Sequence, residues 1–349
     1  MMKVGIDFDI INQWYEENKF TDEECKLIVP VDSYVQTTEN VTEEQFDRDV
    51  ATPLFRRCPS SCITTDEYTV RFDTCATNII KQLSKHFDQE DTLIVTSNNE
   101  HINVQNAFAD AKNLYTINAD EVIHKFKTDE LIAECKKWKN VFFYIIGTEL
   151  SRGKIAPNPW FKHIREELSD INLTICLDDV QGMYMVPRDY RYFDYVIGTA
   201  HSLITPFDMG ICFQRKSGVM FGEMYYDTAL KYLKVLDVVL KRRYAIESFS
   251  AMMQQAFSTY MAQDYTFVFT QNSPHIFSIG FGDSFGKVFF TESEREMFER
   301  KYLIHIEGVR VDCEEHYIRF RGQEFLTHHK EVMKGLRALE YIIRERSTY

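Results

Sequence analysis

The sequence has no apolar run long enough to cross a bilayer. Val141-Phe142-Phe143-Tyr144-Ile145-Ile146 is typical of its longest, far short of the roughly 18 to 20 residues a membrane helix needs. It has no stretch of Lys and Arg that makes a cationic stripe, and its formal net charge of -13 repels polyphosphate, so nucleic acid is not the expected partner. Cysteines are few and scattered, at 25, 58, 62, 75, 135, 176, 212 and 313. Most lie in segments patterned as helix or strand, which predicts buried free thiols and not a disulfide framework. Cys58 and Cys62 form the one close pair, and no second Cys/His pair follows nearby, so no metal site is expected. The start, MMKVGIDFDI, places Asp7 and Asp9 where a signal peptide needs unbroken apolar residues. A cytoplasmic protein is the expectation.

What is present suits a globular chain. Hydrophobic residues make up 44% and include 27 Phe and 19 Tyr, enough apolar surface to offset chain entropy. The 349 residues allow two domains, or one large α/β domain with an appendage. From 70 to 215, short apolar runs alternate with amphipathic stretches, the pattern of a mainly parallel sheet covered by helices. The spacing predicts strands over Leu93–Thr96, Leu114–Ile117, Val141–Ile146, Leu173–Leu177, Tyr195–Ile197 and Gly210–Phe213. Helices are predicted over Asn78–Phe87, Ile102–Lys112, Thr128–Trp138 and Trp160–Leu168. Residues 223–262 pattern as one or two long helices. Strand-like runs at Tyr265–Thr270, Ile276–Phe281, Arg310–Asp312 and Tyr317–Arg321 then mix with two helices as a smaller α+β domain. The expected organisation is a large domain over 63–245, a small one over 246–349, and an N-terminal segment, 1–62, packed on both.

Several short segments fall at predicted strand ends or helix starts, where open α/β sheets bind ligands. Phe72-Asp73-Thr74-Cys75-Ala76-Thr77-Asn78 opens a helix, whose free N–H groups and dipole favour an anion. Thr96-Ser97-Asn98-Asn99-Glu100-His101 follows a strand, as does Gly147-Thr148-Glu149-Leu150-Ser151-Arg152-Gly153. Leu177-Asp178-Asp179-Val180-Gln181 ends another, and Asp194 begins a stretch running through Gly198, Thr199, Ala200, His201 and Ser202 to Pro206-Phe207-Asp208-Met209-Gly210. Near the C-terminus, Tyr317-Ile318-Arg319-Phe320-Arg321 alternates so that both arginines share one face. Singly these are ordinary features: a Thr helix cap, a capping histidine, an acid at a strand end, a surface pair of arginines.

In this order they resemble the class V aminotransferase and cysteine desulfurase branch of the fold-type I pyridoxal-phosphate (PLP) enzymes, over roughly residues 70–330. The resemblance implies a three-layer α/β/α large domain around a mainly parallel seven-stranded sheet. It implies that Ala76, Thr77, Thr199, His201 and Ser151 lie about the cofactor, with His101 stacked on its pyridine ring. Asp178 would hold the ring nitrogen protonated, so that the ring serves as an electron sink, and Gln181 would donate to its phenolic oxygen. Arg319 would grip a substrate carboxylate. A homodimer acting on an amino acid or another carboxylate is also implied.

Two positions depart from the family's pattern. Ser202 stands where the family keeps the lysine that binds PLP covalently, and Asp208 replaces a glycine. Three expectations follow. The chain binds PLP or pyridoxamine phosphate (PMP) non-covalently, with His201 as phosphate ligand or base; or it is a catalytically inactive descendant, a pseudoenzyme that binds a small anion or assembles with a partner; or a lysine from elsewhere, Lys216 or Lys154, replaces the missing one.

Overall fold

The computed structural model describes residues 5–28, 41–149, 153–200, 209–261, 266–268, 273–281, 291–302, 304–307 and 316–346. The chain opens with α1 (Phe8–Asn18) and α2 (Asp22–Ile28); α3 (Glu43–Phe46) then leads through a π-helical segment, Asp47–Ala51, into α4 (Thr52–Arg57). Alternation follows: β1 (Tyr68–Asp73), α5 (Ala76–Phe87), β2 (Thr92–Ser97), α6 (Ile102–Phe108), β3 (Leu114–Ile117), α7 (Asp129–Cys135), β4 (Asn140–Ile146), α8 (Asn158–Glu167), β5 (Asn172–Asp178), β6 (Tyr195–Thr199), β7 (Gly210–Arg215) and α9 (Tyr226–Leu240). The rest comprises α10 (Arg243–Ala256), α11 (Ser258–Met261), β8 (Thr266–Val268), β9 (Ile276–Phe281), α12 (Glu292–Tyr302), β10 (His305–Glu307), β11 (His316–Arg321), α13 (Gly322–Thr327) and α14 (His329–Arg346).

Two compact units emerge. One comprises Ile28–Glu149 with Ile155–Val239, the other Met1–Leu27, Leu150–Lys154 and Leu240–Tyr349. The first is built on a seven-stranded sheet in the order β1-β7-β6-β5-β4-β2-β3. Strands β2 to β6 pair in parallel, while β7 runs antiparallel to both β6 and β1. In β4 every residue after the first is buried, as a strand covered on both faces requires. Ile79, Ile80 and Leu83 form the buried stripe of α5, and Phe87 stacks on Phe142 of β4 with centroids 4.0 Å apart. The second unit carries an antiparallel sheet ordered β10-β11-β9-β8. There Trp14 of α1 packs against Phe249 and Phe325 and donates its indole N–H to Ser248 at 3.0 Å.

The mixed α/β architecture and the mainly parallel seven-stranded sheet are as the sequence predicts, and the six predicted central strands coincide with β2 to β7. Three differences are informative. Strand β1 was not predicted, because Thr69 and Arg71 interrupt its apolar residues; both are nonetheless buried, Thr69 donating to Asp47 at 3.0 Å and Arg71 pairing with Glu43. Helix α6 stops at Phe108 instead of Lys112, because Asn113 turns the chain by donating its amide to the carbonyls of Gln89, Glu90 and Thr92. Predicted strand Arg310–Asp312 lies outside the described residues, and β10 was not foreseen. Among the described residues no helix is long and apolar enough to cross a membrane.

Strand order reverses direction at β2: the chain proceeds from β2 to β3 on one side and then returns to place β4 on the other. Such a reversal opens a crevice beyond the carboxyl ends of the two flanking strands. The carboxyl ends of β2, β4 and β5, at Ser97, Ile146 and Asp178, therefore lie at that edge of the sheet.

Candidate functional site

Asp178 is the last residue of β5 and is 5% exposed. Its register partners are Ile146 on β4 and Ile197 on β6, so its carboxyl sits at the carboxyl edge of the sheet. Each oxygen has one donor: Tyr144 gives its hydroxyl to Oδ2 at 2.8 Å, and the Val180 N–H reaches Oδ1 at 3.2 Å. Burial pushes the carboxyl's pKa up, while both hydrogen bonds and the nearby His101 pull it back.

Beside it lies Glu100, which the motif reading passed over. This residue is 2% exposed. Its Oε1 accepts from the Ser97 hydroxyl at 2.6 Å and from the Ile146 N–H at 3.0 Å, bridging the ends of β2 and β4, while Oε2 is buried without a hydrogen-bond partner among the described residues. Burial, reinforced by the negative charge of Asp178, lifts its pKa to about 8. A neutral carboxylic acid at pH 7 follows. No sequence pattern marks burial at a loop position, so the only available signal was the glutamate's place within Thr96–His101.

His101 caps α6, its Nδ1 accepting the Asn103 N–H at 3.1 Å, and its ring is exposed. The Asn103 side chain donates to Thr77 Oγ1 at 3.0 Å, tying the start of α6 to the first turn of α5. The cap of α5 is Cys75 and not a threonine; Ala76 is buried and Thr77 half-buried in that turn. Gly210 packs on the same turn so closely that a Cβ would lie 2.6 Å from the Ala76 nitrogen. Opposite Gly210 in the β6–β7 register is Thr199, 2% exposed. Thr77, His101, Asp178 and Thr199 thus share one edge of one sheet.

No protein-family model matches the sequence, and no curated protein sequence matches it. Solved structures do. A NifS-like protein from Rickettsia africae superposes with a TM-score of 0.65 at 14% identity, covering 95% of this chain and 98% of its own. A ureidoglycine-glyoxylate aminotransferase from Bacillus subtilis gives 0.61 at 14%, covering 95% and 92%. A multiple substrate aminotransferase from Thermococcus profundus gives 0.59 at 14%, covering 98% and 89%. This chain has the fold of the PLP-dependent transferases.

Within this transferase fold, Asp179 and Arg188 lock the loop that follows β5. They are 0% and 1% exposed at the side chain, with Arg188 Nε 3.6 Å from Asp179 Oδ1. Arg188 also donates to the carbonyls of Gly147 and Ala156, and Tyr190 donates to Asp179 Oδ2 at 2.6 Å. Thr148 is buried within this knot, 3.4 Å from an Arg188 nitrogen. Gln181 is half-buried on the loop that the knot fixes.

Asp194 has a scaffold role: its carboxylate takes the Ile175 N–H at 2.8 Å and pairs with Arg165 at 2.5 Å and Arg215 at 3.2 Å. Lys216 pairs with Asp47 at 2.6 Å. It follows β7, whose first residue Gly210 opposes Thr199, so about six residues of strand, roughly 20 Å, separate it from the carboxyl edge. That placement removes it as a substitute lysine. Lys154 and Arg319 belong to the other unit; Arg319 sits in β11 opposite Ser278 and is 3% exposed, not surface-facing. Ser151, His201, Ser202 and Asp208 lie outside the described residues.

Proposed function

We propose that the protein binds PLP or PMP without a covalent lysine link and acts on an amino acid or another carboxylate. The observation that carries this reading is the buried Asp178 carboxylate at the carboxyl edge of the transferase fold, one donor on each oxygen and no lysine or arginine against it in the described contacts. An anion so buried is stabilised by a cation, and a protonated pyridine nitrogen supplies one. When bound, the cofactor contributes an electron sink for bonds at the substrate's α-carbon.

The chain's own residues have separable tasks. Asp178 would hold the ring proton, and the Tyr144 hydroxyl favours its ionised form against the effect of burial. His101 would cover the ring face, its imidazole held by the Asn103 N–H at the start of α6. The α5 start at Ala76 and Thr77 offers N–H and hydroxyl donors to the phosphate, with Thr199 and His201 beside it. Gln181 would reach the phenolic oxygen from the loop that Arg188 locks, and the family resemblance assigns Ser151 to the cofactor as well. Ser202 at the lysine position cannot form an imine, so His201 serves as the base. Arg319 grips the substrate carboxylate, and the working unit is a homodimer in the cytoplasm. Ser202 and Asp208 also favour a second reading, an inactive descendant holding another small anion or assembling with a partner, since a carboxylate in place of the family's glycine would repel a phosphate if it pointed inward.

Absorbance and thermal shift with PLP and, separately, PMP decide between them. The first reading expects a melting-temperature rise with either compound, as mass action on a folded site requires, no borohydride-reducible band, and loss of the rise in Asp178→Ala. No shift at millimolar concentration leaves the second.

A further inference from the structure

Asp178 and Glu100 are two buried carboxyls on either side of the same strand end. Tyr144 of β4 donates to Asp178, while Ile146, two residues on and the register partner of Asp178, donates its N–H to Glu100. Their donors are distributed differently. Asp178 has one on each oxygen, which suits a delocalised charge. Glu100 has both on Oε1 and none on buried Oε2. An ionised Glu100 beside an ionised Asp178 would place a second negative charge in the same buried corner, half of it on an oxygen with no donor among the described residues; a neutral acid accepts through its carbonyl oxygen and keeps the proton on the other.

We propose that Glu100 is a positioning residue that holds the one proton of this carboxyl pair, leaving Asp178 as the anion of the site, and yields that proton to solvent when a cation seats against Asp178. The link to cofactor binding rests on the function proposed above; the state of the pair does not. Other groups facing it stay neutral: burial pushes the Tyr144 phenol and the Cys176 thiol well up, and Asp178 raises both further. His101 is the adjoining basic group and acts on Asp178.

The direction of the pH effect follows from Glu100 titrating near 8 when folded against 4.5 unfolded. Its contribution to stability is fully present below about 4.5 and is lost as pH rises through 8. Melting temperature is measured from pH 5 to 9 for the full chain, E100Q, D178N and the double variant. The gap of wild type below E100Q is expected to widen with pH, and to widen less in the D178N background, where no charge opposes ionisation. Parallel profiles overturn the proposal. Should a variant not fold, wild-type protein labelled at the glutamate carboxyl carbon gives the same answer by NMR: one glutamate titrating near 8 supports it, and all titrating below about 6 overturns it.

Calorimetry of PMP binding in buffers of different ionisation enthalpy tests the linkage. Wild type is expected to release more protons than E100Q, by up to one per site; equal release overturns that half. If PMP does not bind wild type at all, the cofactor reading and the linkage fail together, while the stability profile still decides which carboxyl carries the proton.

Discussion

Arg188 shows how one side chain organises a site it does not enter. Its guanidinium joins the ends of β4 and β5 through the Gly147 carbonyl and the Asp179 carboxylate. R188M removes the charge and three polar contacts but keeps most of the volume. It is expected to cost about 3–5 kcal/mol in urea denaturation at pH 7.5, because an unpaired carboxylate is left buried. Burial already lifts Asp179 to about 6. A raised folded pKa means stability falls as pH climbs through it, and losing Arg188 raises it further, so the deficit should be smaller at pH 5. An equal deficit at both values would sink this account. At this scale Asp178 and His101 were legible because a motif carries them. Glu100 and Arg188 were not, since their importance comes from burial among partners 40 or more residues away, and neither periodicity nor local spacing encodes that.

Among the elements, β2 to β7 were legible because each is a short apolar run bounded by turns, the form a doubly covered strand takes. Strand β1 was not: Arg71 and Thr69 are buried with Glu43 and Asp47 as their partners, and Lys216 in turn pairs with Asp47. Helix boundaries erred where a side chain such as Asn113 ended the helix. The join between α5 and β7 leaves no room for a side chain at Gly210. G210A puts a methyl 2.6 Å from the Ala76 nitrogen and the Cys75 carbonyl carbon, backbone atoms that move only with the helix. The expected cost is about 1–3 kcal/mol, seen by denaturation. Because Thr77 lies on that turn, weaker inorganic phosphate binding should accompany it. Unchanged stability would mean that the start of α5 is free to shift.

At the scale of the molecule, the sheet's polarity separates two kinds of chemistry. The carboxyl edge gathers Ser97, Glu100, Asp178 and Thr199, whereas the amino edge carries Thr92, Asn140 and Asn172, lining an open groove of about 640 Å³ floored by Phe87. Lys216 follows β7 at the amino edge, held by Asp47. A lysine there does not reach a ring seated at Asp178, whatever its reactivity, because strand length and not chemistry sets the distance. K216A should therefore leave PLP affinity within about twofold and cost about 1–3 kcal/mol, because it takes the cation from the buried Asp47 carboxylate. S202K restores an amine where the family pattern places it, and should create a borohydride-reducible PLP adduct that is not expected of wild type. Mass spectrometry of the reduced protein locates the adduct. Labelling at Lys216 in either protein would refute the assignment of edges, and no labelling in S202K would show that the segment after β6 does not bring position 202 to the cofactor, which favours the inactive descendant.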